Sequence, residues 1–315
     1  MVMKTKPIEF GSHMSRRISV ALLACAWLVA PLTSQASCLG MVLHAHRGGP
    51  DAPENSLSSV RQAVQGPWDG AEIDIQQLRD GNWVLHHDAQ LGRTTSLRGR
   101  RVADLDSTMW KEIRLKDRKG RITSEGAPFL GDVSEMAGAQ NGKVLNVEIK
   151  QSNGDCGPAR QAAGTLSQAM PNGQWFLTSI DRRQLQCARQ FDRTGYLGQI
   201  VLDPQALASD SDNRWARLNA NRLKPPVLDQ TWLSRLQQDV GKPVGVHIDI
   251  NTLLANPGLL PAARAMGIPV FTYDLTSDKE HAQALLAAKR QSGLLPSGAI
   301  INGRPDAFCQ LMSAQ

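Results

Sequence analysis

The sequence Ala71-Glu72-Ile73-Asp74-Ile75 alternates carboxylates with aliphatic side chains in a stretch that otherwise has the composition of a buried β-strand. Successive side chains of a strand point to opposite faces, so Glu72 and Asp74 are expected to share one face. A charge without a partner inside a protein core costs several kcal/mol or more. The alternation therefore indicates a functional site built on a strand.

Two other strand-like segments carry ionisable side chains with the same spacing of two residues. His44 and His46 lie at the end of one segment, and Glu148 and Lys150 lie at the end of another. Each pair is expected to face the interior near the carboxyl end of its strand, where barrel enzymes place their chemistry. The three pairs should therefore meet at one end of the fold.

The carboxylates of this group suit a cation. Glu72 and Asp74 stand about 7 Å apart along a strand, a gap that the longer glutamate side chain can span. With Glu148 they form a set of oxygen ligands appropriate for one divalent cation, Ca²⁺ or Mg²⁺. The alternative for each acid taken singly is a salt bridge, for example between Glu148 and Lys150.

Eight strand-like runs alternate with helical stretches along the chain. The predicted strands are Met41–Ala45, Ala71–Ile75, Val144–Ile149, Trp175–Thr178, Tyr196–Val201, Val244–His247, Pro269–Tyr273 and Ala299–Ile301. The predicted helices are Ser56–Val64, Gly157–Ala169, Arg182–Gln190, Thr231–Asp239, Leu259–Met266 and Asp278–Ala288. This order predicts an α/β fold, a closed (β/α)8 TIM barrel in preference to an open doubly wound sheet. No GxGxxG motif follows the first strand, which disfavours dinucleotide binding.

The segment 82–128 does not fit the alternation. It starts with the strand-like Trp83–Leu85 and then becomes rich in arginine and lysine. We predict a basic, loop-rich insertion after the second strand, lying over the mouth of the barrel. Its charge could attract an anionic substrate or a phospholipid surface, but interspersed acids favour an ordinary solvated face.

The first 36 residues have the pattern of removable segments. Residues 1–13 resemble an expression leader, and residues 14–36 resemble a signal peptide with basic, apolar and small-residue regions. The apolar stretch is shorter than the roughly 20 residues that span a bilayer. We therefore expect an exported protein, most simply periplasmic, with secretion or a lipid anchor at Cys38 as alternatives.

Residues 37–315 are expected to form a single domain. Cleavage would remove four basic residues and one acidic residue, so the net charge would fall from +6 to +3. That balance gives no support to nucleic-acid binding, and the oligomeric state is left open.

Four cysteines remain after the predicted cleavage, and they permit three pairings. Cys38 and Cys309 lie at the two ends of the domain, so a bridge between them would fix both termini. Cys156 and Cys187 would then form the second bridge. Buried free thiols are the alternative, while the absence of a CxxC motif argues against a cysteine-bound metal.

The ordered motifs of the first half resemble those of the glycerophosphodiester phosphodiesterase family. The matching pieces are His46-Arg47-Gly48, Pro53-Glu54-Asn55, Glu72-Ile73-Asp74, Asp80-Gly81, His87-Asp88 and Arg93-Thr94-Thr95. Both their order and their spacing agree with the family pattern. The resemblance continues through Glu148-Ile149-Lys150 and then becomes weaker, and Asn302-Gly303 stands where the family usually has Thr-Asp.

The resemblance implies metal-dependent hydrolysis of glycerophosphodiesters to glycerol 3-phosphate and an alcohol. It also implies that an internal glycerol hydroxyl attacks phosphorus and that water opens the resulting cyclic phosphate. The implied residues are His46 and His87 as base and acid, Arg47 and Lys150 beside the phosphate, and Glu72, Asp74 and Glu148 as metal ligands. The expected partner is a small-molecule glycerophosphodiester, and transient contact with a phospholipid surface is a further possibility.

Other polar residues receive structural interpretations. We expect His44 to be a hydrogen-bonded interior histidine, His86 to point away from the site, and Asn55 to cap the first helix. His247 and Asp249 either line the mouth or are satisfied inside the barrel. Tyr273 is expected to pack in the core, with a cation–π contact to a choline group as the alternative.

Two other functions are consistent with this sequence. One is a lysophospholipid-directed phosphodiesterase of the same fold, which an exposed apolar rim beside the mouth would favour. The other is a non-catalytic exported binding protein, which the presence of both histidines and all three acids disfavours.

Overall fold

The computed structural model describes residues 38–150, 155–209 and 214–314. The predicted leader and the predicted signal peptide lie outside these ranges. Within them, every helix is too short or too polar to cross a bilayer.

Eight parallel strands close into a barrel, as predicted. Strand β1 pairs with β2 on one side and with β11 on the other, where His44 lies opposite Ile300. The barrel strands are β1 (Val42–Ala45), β2 (Gly70–Gln77), β6 (Val144–Ile149), β7 (Trp175–Ser179), β8 (Leu197–Val201), β9 (Val244–Asp249), β10 (Val270–Thr276) and β11 (Gly298–Asn302). The predicted strands coincide with these to within three residues at each end.

Helices surround the barrel, and most of them pack apolar side chains on it. They are α1 (Leu57–Gln65), α2 (Ser107–Lys111), α3 (Leu130–Gly138), α4 (Gly157–Ala169), α5 (Arg182–Phe191), α6 (Pro204–Ser209), α7 (Arg214–Asn219), α8 (Gln230–Val240), α9 (Ile250–Ala255), α10 (Leu259–Ala265), α11 (Lys279–Ser292) and α12 (Pro305–Ser313). The sequence pattern indicates α1, α4, α5, α8, α10 and α11. Of the helices it does not indicate, α2, α6, α7 and α9 have six residues or fewer, too short for a helical period to be distinct, and α3 and α12 have nine.

The insertion after β2 has more structure than a loop. It contains β3 (Trp83–Leu85), which pairs antiparallel with β2, then α2 and the hairpin of β4 (Arg114–Lys116) and β5 (Ile122–Gly126). A separate apolar cluster, including Val102, Trp110 and Leu115, stabilises it. Most of its basic residues are exposed, in agreement with a solvated face.

Aromatic rings fill the barrel below its open end. Phe271 stacks on His247 at 4.8 Å with an interplanar angle of 11°, and Phe176 contacts Tyr196 edge to face at 4.8 Å. A side chain at Gly198 would collide with His247, so glycine leaves the space that these rings occupy. This packed interior makes the carboxyl end of the strands the floor of a cavity.

Both expected disulfides are present. Cys38 bonds to Cys309 with a Cα–Cα distance of 5.2 Å, and Cys156 bonds to Cys187 with a Cα–Cα distance of 5.0 Å. The first bridge joins the residues before β1 to α12. The alternative of buried free thiols is therefore wrong.

Candidate active site

A cavity of about 260 Å³ opens at the carboxyl ends of the barrel strands. All seven residues predicted for the site line it: His46, Arg47, Glu72, Asp74, His87, Glu148 and Lys150. The insertion contributes His87 to this lining. Elsewhere it contacts the start of α1, where the backbone N–H and the hydroxyl of Ser58 donate to the Glu125 carboxylate.

The three predicted ligands converge on one point. One carboxylate oxygen from each of Glu72, Asp74 and Glu148 lies within 4.8 Å of the others, and all three side chains are buried. The alternation in β2 and its register with β6, which places Asp74 beside Glu148, produce this arrangement. A Ca²⁺ ion bound by oxygens at about 2.3–2.6 Å keeps them within about 5 Å of one another, so the spacing of the three acids is compatible with such an ion.

Two cations flank one of the three acids. Arg47 Nε lies 3.4 Å from Asp74 Oδ2, and Lys150 Nζ lies 3.1 Å from Asp74 Oδ1 and 2.9 Å from Glu148 Oε1. Burial opposes ionisation of Asp74, but Lys150, His87 and Arg47 together lower its pKa well below the usual range. The salt bridge considered for Glu148 is thus present within the same cluster.

Glu72 has the opposite electrostatic environment. Burial, followed by repulsion from Asp74 and Glu148, raises the pKa of Glu72 well above its usual value. Its Oε2 accepts the backbone N–H of Arg47 at 2.9 Å, which orients the carboxylate. A divalent cation would remove the repulsion among the three acids, so the donor set matches the group that the family implies.

His46 lies at the edge of the acid cluster. Its Nδ1 donates to the amide oxygen of Asn302 at 3.0 Å, so Nε2 keeps its lone pair, 4.0 Å from Glu72 Oε2. Burial is the main reason that the pKa of His46 is lowered to about 4. A neutral imidazole with a free lone pair beside the acids can accept a proton.

His87 is held from several sides. Its Nδ1 contacts Asp88 Oδ1 at 2.8 Å, and Arg93 Nε donates to Asp88 Oδ2 at 2.8 Å. The amide of Gln76 on β2 donates to the backbone oxygens of residues 86, 87 and 88. These bonds fix the His87 ring at the cavity, with Nε2 as the nitrogen outside the Asp88 contact.

Asn55 connects the loop after β1 to the acid cluster. Its Nδ2 donates to Asp74 Oδ2 at 2.8 Å, and its Oδ1 accepts the backbone N–H of Asp74 at 3.0 Å. The expected capping role is wrong, because Ser56 caps α1 in a reciprocal pair with Ser59. Asn55 has a φ of 53°, a left-handed conformation that asparagine tolerates better than most residues.

Replacing Asn55 with alanine should therefore release Asp74. We expect the free energy of unfolding to fall by about 1–3 kcal/mol, because a buried carboxylate and a buried N–H both lose a partner. Denaturant unfolding monitored by circular dichroism measures this loss. The matched variant Asn302→Ala should leave Asp74 undisturbed, so an equal fall in the free energy of unfolding in both variants would contradict the positioning role of Asn55.

The part of the cavity lining away from the acids is mostly apolar. Ile180, Ile200, Leu202 and Leu207 form apolar walls, and Tyr273 donates from its hydroxyl to the backbone oxygen of Val201 at 2.8 Å. The far wall thus combines apolar contact area with fixed polar groups. This is the space available to the part of a ligand that lies away from the acids.

Two of the ambiguous residues line the cavity. His247 contacts the Tyr196 hydroxyl through Nε2 at 3.2 Å, but its Nδ1 has no hydrogen-bonding partner among the described residues, so it is only partly satisfied. Asp249 also lines the cavity and caps α9, accepting the backbone N–H of Thr252 at 2.9 Å. Tyr273, for which core packing was expected, is half-buried in the cavity wall.

His44 and His86 are structural. His44 is buried among aromatic rings below the site, but its Nδ1 has no hydrogen-bonding partner among the described residues, so the expected hydrogen bond is wrong. Burial lowers its pKa to about 4. His86 packs its ring edge against Trp110, away from the cavity, as expected.

Sequence reasoning missed several residues that support the site. Gln76 lies two residues after Asp74, and Asn146 lies two residues before Glu148, on the same inward faces. Asn146 lines the cavity and accepts a hydrogen bond from Thr178 at 3.2 Å. Following the alternation of side chains for two more positions along each strand would have identified both residues.

A sequence model described as the glycerophosphoryl diester phosphodiesterase family matches residues 46–301. Among curated proteins, a glycerophosphodiester phosphodiesterase of Bacillus altitudinis is 32% identical over 115 residues, which are 35% of this chain and 45% of that protein. Human glycerophosphodiester phosphodiesterase 1 is 51% identical over 57 residues, which are 18% of this chain and 17% of that protein. The matches thus span less than half the length of these relatives.

Solved structures of the same kind have the same fold. An Oleispira antarctica phosphodiesterase, determined with its product sn-glycerol-3-phosphate, has a TM-score of 0.65 and 21% identity, covering 88% of this chain and 96% of that one. A glycerophosphodiester phosphodiesterase from Agrobacterium tumefaciens has a TM-score of 0.61 and 18% identity, covering 86% of this chain and 99% of that one. At these identities the similarity establishes the barrel.

Proposed function

Since the chain belongs to the glycerophosphoryl diester phosphodiesterase family, we propose that it hydrolyses glycerophosphodiesters to glycerol 3-phosphate and an alcohol. One observation carries the proposal: three buried carboxylates, two histidines and two cationic side chains meet in a single cavity. Each group corresponds to a separate requirement of the reaction.

A phosphodiester is an anion that repels nucleophiles, so cationic groups must offset charge on its non-bridging oxygens. Arg47 and Lys150 provide that charge. The guanidinium of Arg47 can form two parallel hydrogen bonds, whereas the ammonium of Lys150 acts as a point charge. Their ion pairs with Asp74 hold both groups at the cavity wall.

Proton transfer is assigned to the two histidines. Nε2 of His46 accepts the proton of the glycerol 2-hydroxyl as its oxygen bonds to phosphorus and the bond to the leaving alcohol breaks. His87 gives a proton to the departing alkoxide. Water then opens the cyclic phosphate, with the two histidines in exchanged roles.

Glu72, Asp74 and Glu148 would hold one divalent cation, Ca²⁺ or Mg²⁺, because the donor set is entirely oxygen. When bound, such an ion supplies Lewis-acid stabilisation of phosphoryl oxygens. The ordering contacts from Asn55 and the Arg47 backbone keep two of these carboxylates in place.

The test is release of glycerol 3-phosphate from glycerophosphocholine and glycerophosphoethanolamine, with and without chelator. We expect release that chelator abolishes and that added Ca²⁺ or Mg²⁺ restores. If neither glycerophosphodiester yields glycerol 3-phosphate under any metal condition, hydrolysis is rejected and the non-catalytic binding protein becomes the better description.

A lysophospholipid-directed phosphodiesterase is the second candidate. Ile180 and Leu207 line the cavity and are also 45% and 53% exposed, so the mouth has apolar groups on its rim. An acyl chain could lie against them while the phosphate reaches the acids. Including lysophosphatidylcholine in the same assay compares the two candidates directly.

We also propose that the protein acts outside the cytoplasm. The signal-peptide pattern of residues 14–36 supports this, and the two disulfides suit an oxidising compartment. Fractionation of cells that express the full chain, with immunodetection in each fraction, tests the location.

A further inference from the structure

Large apolar side chains are exposed on the segment between β8 and α8. Trp215 and Leu218 on α7 are each 72% exposed, and Val227, beyond α7, is 78% exposed. Trp215 and Leu218 are three residues apart, so they lie on one side of the helix. We call Trp215, Leu218, Leu223 and Val227 the apolar cap.

This segment buries small side chains and exposes large ones. The small side chains of Ala208 and Ala220 are 8% and 3% exposed, whereas the larger apolar side chains of α7 face solvent. Helices α6 and α7 contact each other and the short 3₁₀ turn Ala220–Arg222. Large apolar side chains of α7 thus lie on the solvent side of this segment, a feature that marks contact surfaces when such side chains cluster.

The charged residues within the cap segment are all basic. Residues 214–228 contain four basic and no acidic residues. Arg217, Arg222 and Lys224 are exposed. Tryptophan and leucine beside arginine and lysine are the combination that inserts at the interface of an anionic bilayer.

The cap lies next to a wall of the cavity. Leu207, on α6, which contacts α7, lines the cavity and is 53% exposed. An exposed apolar side chain of the mouth thus belongs to the helix that neighbours the cap. A surface contacted by the cap would lie near the opening through which a ligand enters.

We propose that the apolar cap docks the protein on an anionic phospholipid surface. Trp215 and Leu218 enter the interfacial layer, while Arg222 and Lys224 pair with lipid phosphates. The docking surface differs from the basic insertion at 82–128, for which membrane contact was only a sequence expectation. Docking on a bilayer requires no turnover, so this proposal does not depend on the proposed hydrolysis.

The test is co-sedimentation of the full chain with vesicles of phosphatidylcholine alone or of equal parts phosphatidylcholine and phosphatidylglycerol. We expect binding to the anionic vesicles that weakens as salt is raised. The variant Trp215→Ser/Leu218→Ser should lower the vesicle affinity at least tenfold. The variant Arg222→Gln/Lys224→Gln should lower it about tenfold at low salt and little at high salt.

Ile122→Ser/Phe191→Ser is the matched control, because these side chains are 60% and 43% exposed elsewhere on the surface. It should bind like the parent. All variants should melt at the parent temperature and hydrolyse soluble glycerophosphocholine at the parent rate, if the parent hydrolyses it. Parent protein that binds neither vesicle, or cap variants that bind as well as the parent, would overturn the proposal. A cap variant that turns a dimer into a monomer would instead assign the cap to self-association, which also overturns it.

Discussion

Replacing His46 with alanine is expected to lower kcat by about 10²–10⁴-fold, the contribution typical of a general acid or base. The imidazole accepts no hydrogen bond at Nε2 from the described protein residues and has a pKa lowered to about 4, so at neutral pH it is available to take a proton. Stopped assays of glycerol 3-phosphate release measure the loss.

The same variant should retain its metal. His46 Nε2 is 4.0 Å from Glu72, and the three carboxylates keep their positions through contacts with other residues. Calorimetric titration with Ca²⁺ should therefore give a parent-like affinity. Asn302→Ala, which removes the partner of Nδ1, should cause a smaller loss of kcat. A His46→Ala enzyme with parent kcat would remove His46 from the mechanism.

Replacing Glu72 with glutamine should weaken the affinity for the divalent cation by about 100-fold or more and reduce turnover with it. The amide keeps the size of the side chain and can still accept the backbone N–H of Arg47, but it removes one negative charge from the cluster. Calorimetric titration and activity at increasing metal concentration measure the effect.

Without metal, the same substitution should stabilise the fold. Because burial and repulsion raise the pKa of Glu72 in the folded state, its contribution to stability is present at low pH and is lost as pH rises above the unfolded value towards the folded one. Glutamine does not titrate, so at neutral pH the chelated variant should melt above the chelated parent. A metal-induced rise in Tm as large as that of the parent would exclude Glu72 as a ligand.

The shared face of the acids could be predicted because side chains along a strand alternate strictly between its two faces. Once residues 71–75 are taken as a barrel strand, Glu72 and Asp74 must share a face, and the register with β6 brings Glu148 beside them. The (β/α)8 fold follows from the same local information, repeated eight times.

Other parts of the site depend on contacts between distant segments. Asn302 forms a hydrogen bond with His46, which is 256 residues away in the sequence. Asn55 is hydrogen-bonded to Asp74, and Ser56 caps α1 in its place. The apolar cap was missed because its helix, α7, has only six residues, which hides any helical period, and because Leu223 and Val227 lie outside helices. Only the folded chain shows that its large side chains face outward.

The bridge between Cys38 and Cys309 links positions 271 residues apart. Cys38 precedes β1 and Cys309 lies on α12, so in the oxidised form the chain between these two cysteines is a closed covalent ring. One backbone cut in a surface loop between them would open the ring but would not divide it. Strands β1 and β2 would therefore stay attached to the rest of the barrel after such a cut.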